Sequence, residues 1–146
     1  IADATTLLSI DSTSAMAYWH RAVCQMAMSG FKASNGVDVK LQEAGALSDL
    51  NKAIALKPQN AYLYYCRANL YAHQGNNEKA VADYTSAIKL DNRFAEAYFN
   101  RGLTYITLDN RSQGVKDLSK AGELGLYSAY NIIKKNSASA TKKQSK

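Results

Sequence analysis

The chain has 146 residues, of which 47% are hydrophobic, and a formal net charge of +6. This length is enough for a single globular domain with a sizeable core. The sequence has no run of eighteen apolar residues and no secretory leader at its start, so it predicts no membrane insertion.

The positive charge is concentrated at one end of the chain. Residues 1–133 carry 13 basic and 12 acidic side chains. The remaining basic residues are Lys134, Lys135, Lys142, Lys143 and Lys146. A nucleic-acid-binding domain places its basic residues on a folded surface, whereas this body is nearly neutral. The sequence therefore predicts no nucleic acid among the partners.

A repeat of about 34 residues organises the chain. Shifting segment 61–94 by one repeat length places it over segment 95–128, with matches in both halves of the unit. The matches are Tyr64, Arg67, Ala68 and Tyr71 with Tyr98, Arg101, Gly102 and Tyr105, and Val81, Asp83 and Ala87 with Val115, Asp117 and Ala121. This period is typical of a solenoid built from helix-turn-helix units.

Large aromatic and small residues recur at fixed positions of the unit. They are Tyr64, Ala68 and Tyr71 in the first predicted helix and Ala80, Tyr84 and Ala87 in the second. In these residues the chain resembles the tetratricopeptide repeat (TPR) family, and its style is similar to that of bacterial members. The resemblance implies an all-α fold: a right-handed superhelical solenoid of antiparallel helix pairs, with about three repeats and a C-terminal cap helix.

Residues 1–14 align with the second half of a unit. Ala2, Asp3 and Ile10 match Ala82, Asp83 and Leu90. The segment is therefore predicted to be the second helix of a truncated preceding repeat. Because repeat arrays normally end in a capping element, we expect either further upstream sequence or a second copy of the chain, in a homodimer, at this edge.

The first repeat, 15–60, keeps Tyr18, Arg21 and Ala22 at the aromatic, basic and small positions of the unit. Its turn holds about twelve additional residues, at about 31–42. One interpretation is a tolerated surface insertion, or a lengthened second helix that begins near Asp38, because loop closure depends only weakly on length. The other is a functional flap near the binding groove.

The second repeat, 61–94, is the regular unit: a helix, a Gly-Asn turn and a second helix. The charged residues of its second helix, such as Glu78, Lys79 and Asp83, are interpreted as a solvated outer face.

The third repeat, 95–128, has Gly114 and Gly122 inside its second helix. Each glycine is expected to destabilise the helix by about 1 kcal/mol relative to Ala, so this unit should fray first. Gly125 is predicted to end the helix in a left-handed cap. A C-terminal cap helix is predicted at 129–136. The stretch 137–146 has no apolar side chain larger than Ala and is predicted to be a disordered basic tail.

The first helices are apolar on a second face, which the resemblance places in the concave groove of the superhelix. The predicted partner-binding residues are Met16, Trp19, Val23, Tyr62, Tyr65, Asn69, Phe99, Asn100, Leu103 and Ile106. An aromatic ladder of Trp19, Tyr65 and Phe99 would line this groove. Exposed apolar and aromatic surface is typical of interaction sites.

Two functions are consistent with this pattern. The first is a non-enzymatic interaction scaffold that binds an apolar or aromatic peptide segment, or a helix, of a partner protein. The second is an architectural repeat segment of a larger chain or homo-oligomer. In that case the groove has no separate ligand and is filled by other repeats or by another copy of the chain. The cytoplasm and an exported location such as the bacterial periplasm are both compatible with the sequence.

Some TPR co-chaperones hold a peptide carboxylate with a two-carboxylate clamp. At the clamp positions this chain has Asn69, Asn100 and Lys134, but Tyr65 and Tyr130 stand where the resemblance requires lysines. Two cationic contacts are therefore missing, and a clamp of this kind is not predicted.

No catalytic residue, metal site or cofactor is predicted. His20 and Cys24 share a helix face, and Cys66 lies at the repeat position of His20, but no fourth ligand or CxxC or HExxH spacing accompanies them. The glycines at the turns between helices suit a left-handed backbone, and none of the glycines forms a phosphate-binding loop. Two isolated cysteines make no disulfide framework, so they indicate neither an oxidising nor a reducing compartment.

Overall fold

The structure, a computed structural model, describes residues 15–16, 18–23 and 36–144. The described part is helical with short turns and contains no strand. Residues 15–16 and 18–23 are helical, and six further helices follow. These are α1 (Gly36–Leu56), α2 (Ala61–His73), α3 (Asn77–Leu90), α4 (Ala95–Thr107), α5 (Arg111–Glu123) and α6 (Ser128–Gln144). The predicted helix in 1–14 lies outside the described residues.

Each helix packs on its neighbours in the chain. Helix α2 packs against α3 and α4 against α5, and the pairs then stack through α3 on α4 and α5 on α6. Helix α2 also contacts α4 directly, so the first helices of successive repeats line one side of the array. The fold is the all-α solenoid of antiparallel helix pairs that the period predicted.

The turns after α2, α4 and α5 share one hydrogen-bond pattern. After α2, the Gly75 N–H donates to the Ala72 carbonyl and the Asn76 N–H to the Tyr71 carbonyl, which is a Schellman motif. Gly75 has φ +76°. Gly125 ends α5 in the same way with φ +107°, so the predicted left-handed cap is confirmed.

The equivalent turn after α4 has a non-glycine residue in the left-handed position. Asp109 adopts φ +59°, and its N–H donates to the Ile106 carbonyl. The next N–H, of Asn110, donates to the Tyr105 carbonyl. The third repeat therefore keeps the motif with a residue that tolerates this backbone less well than glycine does.

A bidentate ion pair joins the two helices of each repeat. The pairs are Arg21 with Asp49, Arg67 with Asp83 and Arg101 with Asp117, and each uses two N–H···O contacts of 2.5–2.8 Å. All three carboxylates are buried. The interpretation of Asp83 as part of a solvated face was therefore wrong: it lies on the inner side of α3, against the guanidinium of Arg67.

Two of these arginines also reach the preceding repeat. Arg67 donates to Asn51 at 2.7 Å, and Arg101 donates to Thr85 at 2.9 Å. Asn51 and Thr85 occupy equivalent positions one repeat apart. Tyrosine rings flank the guanidinium groups, with centroids 5.6–6.0 Å from the central carbon. Each of these arginines thus connects three helices.

The glycines of the third repeat lie at close helix contacts. A Cβ on Gly114 would lie 2.8 Å from the carbonyl oxygen of Gly102 and 2.7 Å from the Ile106 side chain. A Cβ on Gly122 would meet the ring of Tyr130 at 2.4 Å. These glycines therefore have a packing role that helix propensity alone does not describe.

Two predicted boundaries differ from the structure. Helix α1 begins at Gly36, so the later part of the 31–42 insertion is a lengthened second helix, while residues 31–35 lie outside the described part. The cap helix predicted at 129–136 is α6, which continues to Gln144. Residues 137–144, for which the sequence predicts a disordered tail, belong to this helix in the structure.

Candidate functional site

Four aromatic side chains meet on the side lined by the first helices. We call Trp19, Tyr62, Tyr65 and Phe94 the aromatic cluster. The ring of Tyr62 lies 5.7 Å from that of Trp19, 5.8 Å from that of Tyr65 and 6.3 Å from that of Phe94, all measured between centroids. Tyr65 and Phe94 are 4.7 Å apart. Tyr62 therefore connects the first repeat to the second.

Local structure places Tyr62 at the surface of this cluster. Asn60 caps the N-terminus of α2, and its side-chain oxygen accepts the backbone N–H of Tyr62 at 3.0 Å. Tyr62 is 47% exposed, whereas Trp19 and Tyr65 are half-buried and pack on core residues. The cap thus fixes the backbone from which the most exposed ring of the cluster projects.

The other predicted groove residues of the first repeat lie beside this cluster. Met16 is 57% exposed and Val23 is 38% exposed. They extend the apolar surface along the N-terminal helical residues.

Phe99 does not continue the aromatic cluster. It packs with Leu103 and Ile106 against the buried residues Leu118 and Ala121, in the core of the third repeat. The sequence predicted a ladder of Trp19, Tyr65 and Phe99. In the structure, Phe94 and not Phe99 contacts the ring of Tyr65.

Asn69 and Asn100 take part in a hydrogen-bonded network under the same side of the array. The Asn69 side-chain oxygen accepts from the Tyr84 hydroxyl at 2.6 Å and from the Asn100 amide at 2.9 Å. The Asn100 amide also donates to the Tyr65 hydroxyl at 3.1 Å. Burial raises the pKa of Tyr84, so its hydroxyl stays a donor. The side-chain nitrogen of Asn69 and the side-chain oxygen of Asn100 have no hydrogen-bond partner among the described residues.

A cleft opens in front of Trp19, at the turn between α1 and α2. We call it the Trp19 cleft; its volume is about 350 Å³. It is lined by Ala15, Met16, Trp19, Leu56, Lys57, Asn60, Tyr62 and Leu63. A wider, shallower depression of about 600 Å³ adjoins it across Lys57, Asn60 and Tyr62 and extends to Phe94 and Asp91. The two form one continuous surface along the aromatic cluster.

Cys66 lies in the core beside Trp19. Burial raises the pKa of the Cys66 thiol, and the adjacent Trp19 and Tyr62 side chains act in the opposite direction. The Trp19 indole N–H is buried and has no hydrogen bond of good geometry within the described part of the chain. The thiol is therefore neutral at physiological pH and is a packing group.

Among the described residues, no group of three metal-ligating side chains lies together. Within the same residues, no helix is both long and apolar enough to cross a membrane. Cys24, which was considered with His20 as a ligand, lies outside the described part.

Sequence reasoning missed Leu56, Lys57, Asn60 and Phe94 as site residues. All four lie at or next to turns between repeats. Leu56 recurs one period later as Leu90, but Lys57 falls on Asp91 and Asn60 falls on Phe94, so these turn positions share no residue type. An aromatic residue immediately before a predicted groove helix was the available signal.

Comparison with known families identifies TPR sequences over about half the chain. A family described as TPR repeat matches residues 68–109, and two described as tetratricopeptide repeat match residues 50–82 and 95–124. No curated protein sequence matches the chain significantly.

Solved structures with the same architecture include TTC0263, a thermophilic TPR protein of Thermus thermophilus. It aligns with a TM-score of 0.79 and 22% identity over 94% of this chain and 70% of its own. A MamA protein aligns with a TM-score of 0.70 and 27% identity, over 87% of this chain and 63% of its own. The chain thus spans less than two thirds of that protein.

The first TPR domain of Spaghetti (RPAP3), solved with the HSP90 peptide SRMEEVD, aligns with a TM-score of 0.65. The identity is 21%, over 84% of this chain and 95% of the other. At this identity the similarity shows a shared fold.

Proposed function

Because the chain belongs to the tetratricopeptide repeat family, we propose that it is a non-enzymatic scaffold that binds a segment of a partner protein on the side lined by its first helices. The observation that carries this proposal is the aromatic cluster, with Tyr62 47% exposed beside a cleft of about 350 Å³. The bound segment would be an apolar or aromatic peptide or helix.

The chemistry of this side favours such a segment. Aromatic side chains at the centre of an interface contribute large apolar area at low entropic cost, and they dominate measured hot spots. The unpartnered side-chain nitrogen of Asn69 and side-chain oxygen of Asn100 add N–H donors and an acceptor, which match the C=O and N–H of a peptide backbone.

The similar RPAP3 domain binds an acidic HSP90 peptide, which supports peptide binding as a use of this fold. This chain has Tyr65 and Tyr130 where a two-carboxylate clamp needs lysines. Tyr65 is packed in the aromatic cluster and leaves no cation at that position. The partner would therefore be held mainly through apolar contacts and not through two carboxylates.

Peptide selection from a random 12-residue library tests the proposal. Trp19 is the only tryptophan, so its emission reports binding at the cleft. We expect Tyr62→Ala to weaken the selected peptides about tenfold or more, as removal of a hot-spot ring does. Tyr127→Ala is the matched control, because Tyr127 is 73% exposed and lies at the turn before α6.

Equal affinities of wild type and Tyr62→Ala would contradict binding at this surface. The architectural alternative predicts a different result: sedimentation would show a homo-oligomer that dissociates in the Tyr62→Ala variant, and library selection would enrich no peptide.

A further inference from the structure

The Trp19 cleft has apolar walls and one charged group. Met16, Leu56, Leu63 and the ring of Tyr62 supply apolar surface, and Lys57 is the ionised side chain among the lining residues. No carboxylate of the described residues lines the cleft. The cleft therefore combines an apolar floor with a positive charge.

The charge of Lys57 is not neutralised within the described part of the chain. Lys57 is exposed in the turn that follows α1 and forms no ion pair there. Asp91 lines the adjoining depression together with Lys57, but its carboxylate accepts the Arg93 backbone N–H at 3.0 Å and lies outside ion-pair distance of Lys57. Lys57 is thus available to an incoming anion.

The volume limits what the cleft accommodates. At about 350 Å³ it lies at the lower end of the range for ligand pockets. That space suits one bulky apolar side chain with part of its neighbouring residue, and it is too small for a whole helix. The partner residue beside the apolar side chain would then lie near the ammonium group of Lys57.

We propose that the Trp19 cleft binds a bulky apolar side chain of the partner segment whose neighbouring residue is Asp or Glu, with that carboxylate paired to Lys57. The inference rests on the proposed function and specifies its partner: an apolar anchor next to an acid. The apolar contact supplies affinity, and the exposed ion pair supplies selectivity.

The ion pair lies at an exposed rim, so its effect on affinity is modest. We expect replacement of the neighbouring Glu by Gln to weaken binding about threefold, and replacement by Lys to weaken it further. Because the charges are solvent-exposed, the difference should shrink as salt is raised.

A charge reversal tests the inference. For the best selected peptide, three synthetic versions carry Glu, Gln or Lys beside the apolar anchor, and Trp19 emission gives each dissociation constant. Wild type should prefer Glu over Gln over Lys, and Lys57→Glu should reverse this order. Lys116→Glu makes the same change in net charge on α5, away from the cleft, and should leave the order as in wild type.

The outcomes separate this inference from the proposed function. Peptides that bind with Tyr62 dependence but with the same order on wild type and Lys57→Glu would overturn the acidic-neighbour inference alone. Failure to enrich any peptide would overturn the proposed function and the inference with it. Tight binding of dodecanoate with no selected peptide would assign the cleft to a lipid and also overturn both. Circular dichroism of Lys57→Glu checks that the variant is folded.

Discussion

Loss of Arg67 should destabilise the protein far more than loss of an ordinary surface cation. Both oxygens of Asp83 accept from the Arg67 guanidinium, at 2.6 and 2.8 Å, and the Asp83 side chain is only 9% exposed. Arg67→Ala leaves this carboxylate buried without its partner, which costs about 3–5 kcal/mol in comparable cases. Because Arg67 itself is 20% exposed and water can enter, we expect the lower end of this range, about 3 kcal/mol.

Thermal unfolding followed by circular dichroism measures this effect. For a chain of this size, about 3 kcal/mol corresponds to a fall in Tm of roughly 6–12 °C. Lys120→Ala is the control, because Lys120 pairs with Glu123 at 3.4 Å on the exposed surface and should contribute less than about 1 kcal/mol.

The double variant Arg67→Met with Asp83→Leu tests whether the lost stability comes from the unpaired carboxylate of Asp83. It removes both charges and keeps apolar volume, so it should recover a large part of the lost stability. The reasoning is refuted if Arg67→Ala lowers Tm no more than Lys120→Ala does. It is also refuted if the double variant is less stable than Arg67→Ala alone, since the destabilisation would then not come from an unpaired carboxylate.

Four further substitutions test local features of the fold. Asp109→Gly relieves a φ of +59° and should raise the free energy of unfolding by about 0.5–1 kcal/mol; an unchanged or lower urea midpoint would contradict this. Gly114→Ala drives a methyl group against the Gly102 carbonyl and should cost about 1–3 kcal/mol, while Gly122→Ala meets a half-exposed ring that can rotate and should cost less; equal losses in urea unfolding would refute the distinction. Burial raises the pKa of Cys66, so its contribution to stability is complete below the unfolded value of about 9 and is lost as pH rises through the folded value; Tm should fall above pH 9 less steeply in Cys66→Ala than in wild type, and parallel curves would exclude this role.

The fold could be predicted because helix pairing repeats the same residues at the same spacing. Tyr64 and Ala68 recur as Tyr98 and Gly102, and these positions pack between helices in both repeats. The role of Asp83 could not be predicted from its neighbours, because its partner lies 16 residues away on another helix. Its recurrence one period later was the available signal: a solvated charge has no physical reason to repeat together with the core.

The candidate site was less predictable because it depends on turns. Trp19 and Tyr65 were found from their helix position, and both lie in the aromatic cluster. Phe94 and Lys57 lie where one repeat passes to the next, and their contacts depend on the angle between helices. Phe99 has the same helix position as Tyr65 and packs, like it, on buried core residues, but it makes no ring contact with the aromatic cluster among the described residues.

The buried ion pairs and the proposed binding surface use different residues, so such a surface is compatible with a stable fold. The buried charges are paired between the helices: Arg67 connects α2 to Asp83 in α3 and to Asn51 in the preceding repeat. This pairing uses none of the residues that line the Trp19 cleft. An exposed ring such as Tyr62 can therefore change without leaving a buried charge unpaired, whereas a change at Arg67 cannot. The residues of the proposed binding surface and the residues that hold successive repeats together are thus physically separate in this chain, although Tyr62 and Arg67 lie on the same helix.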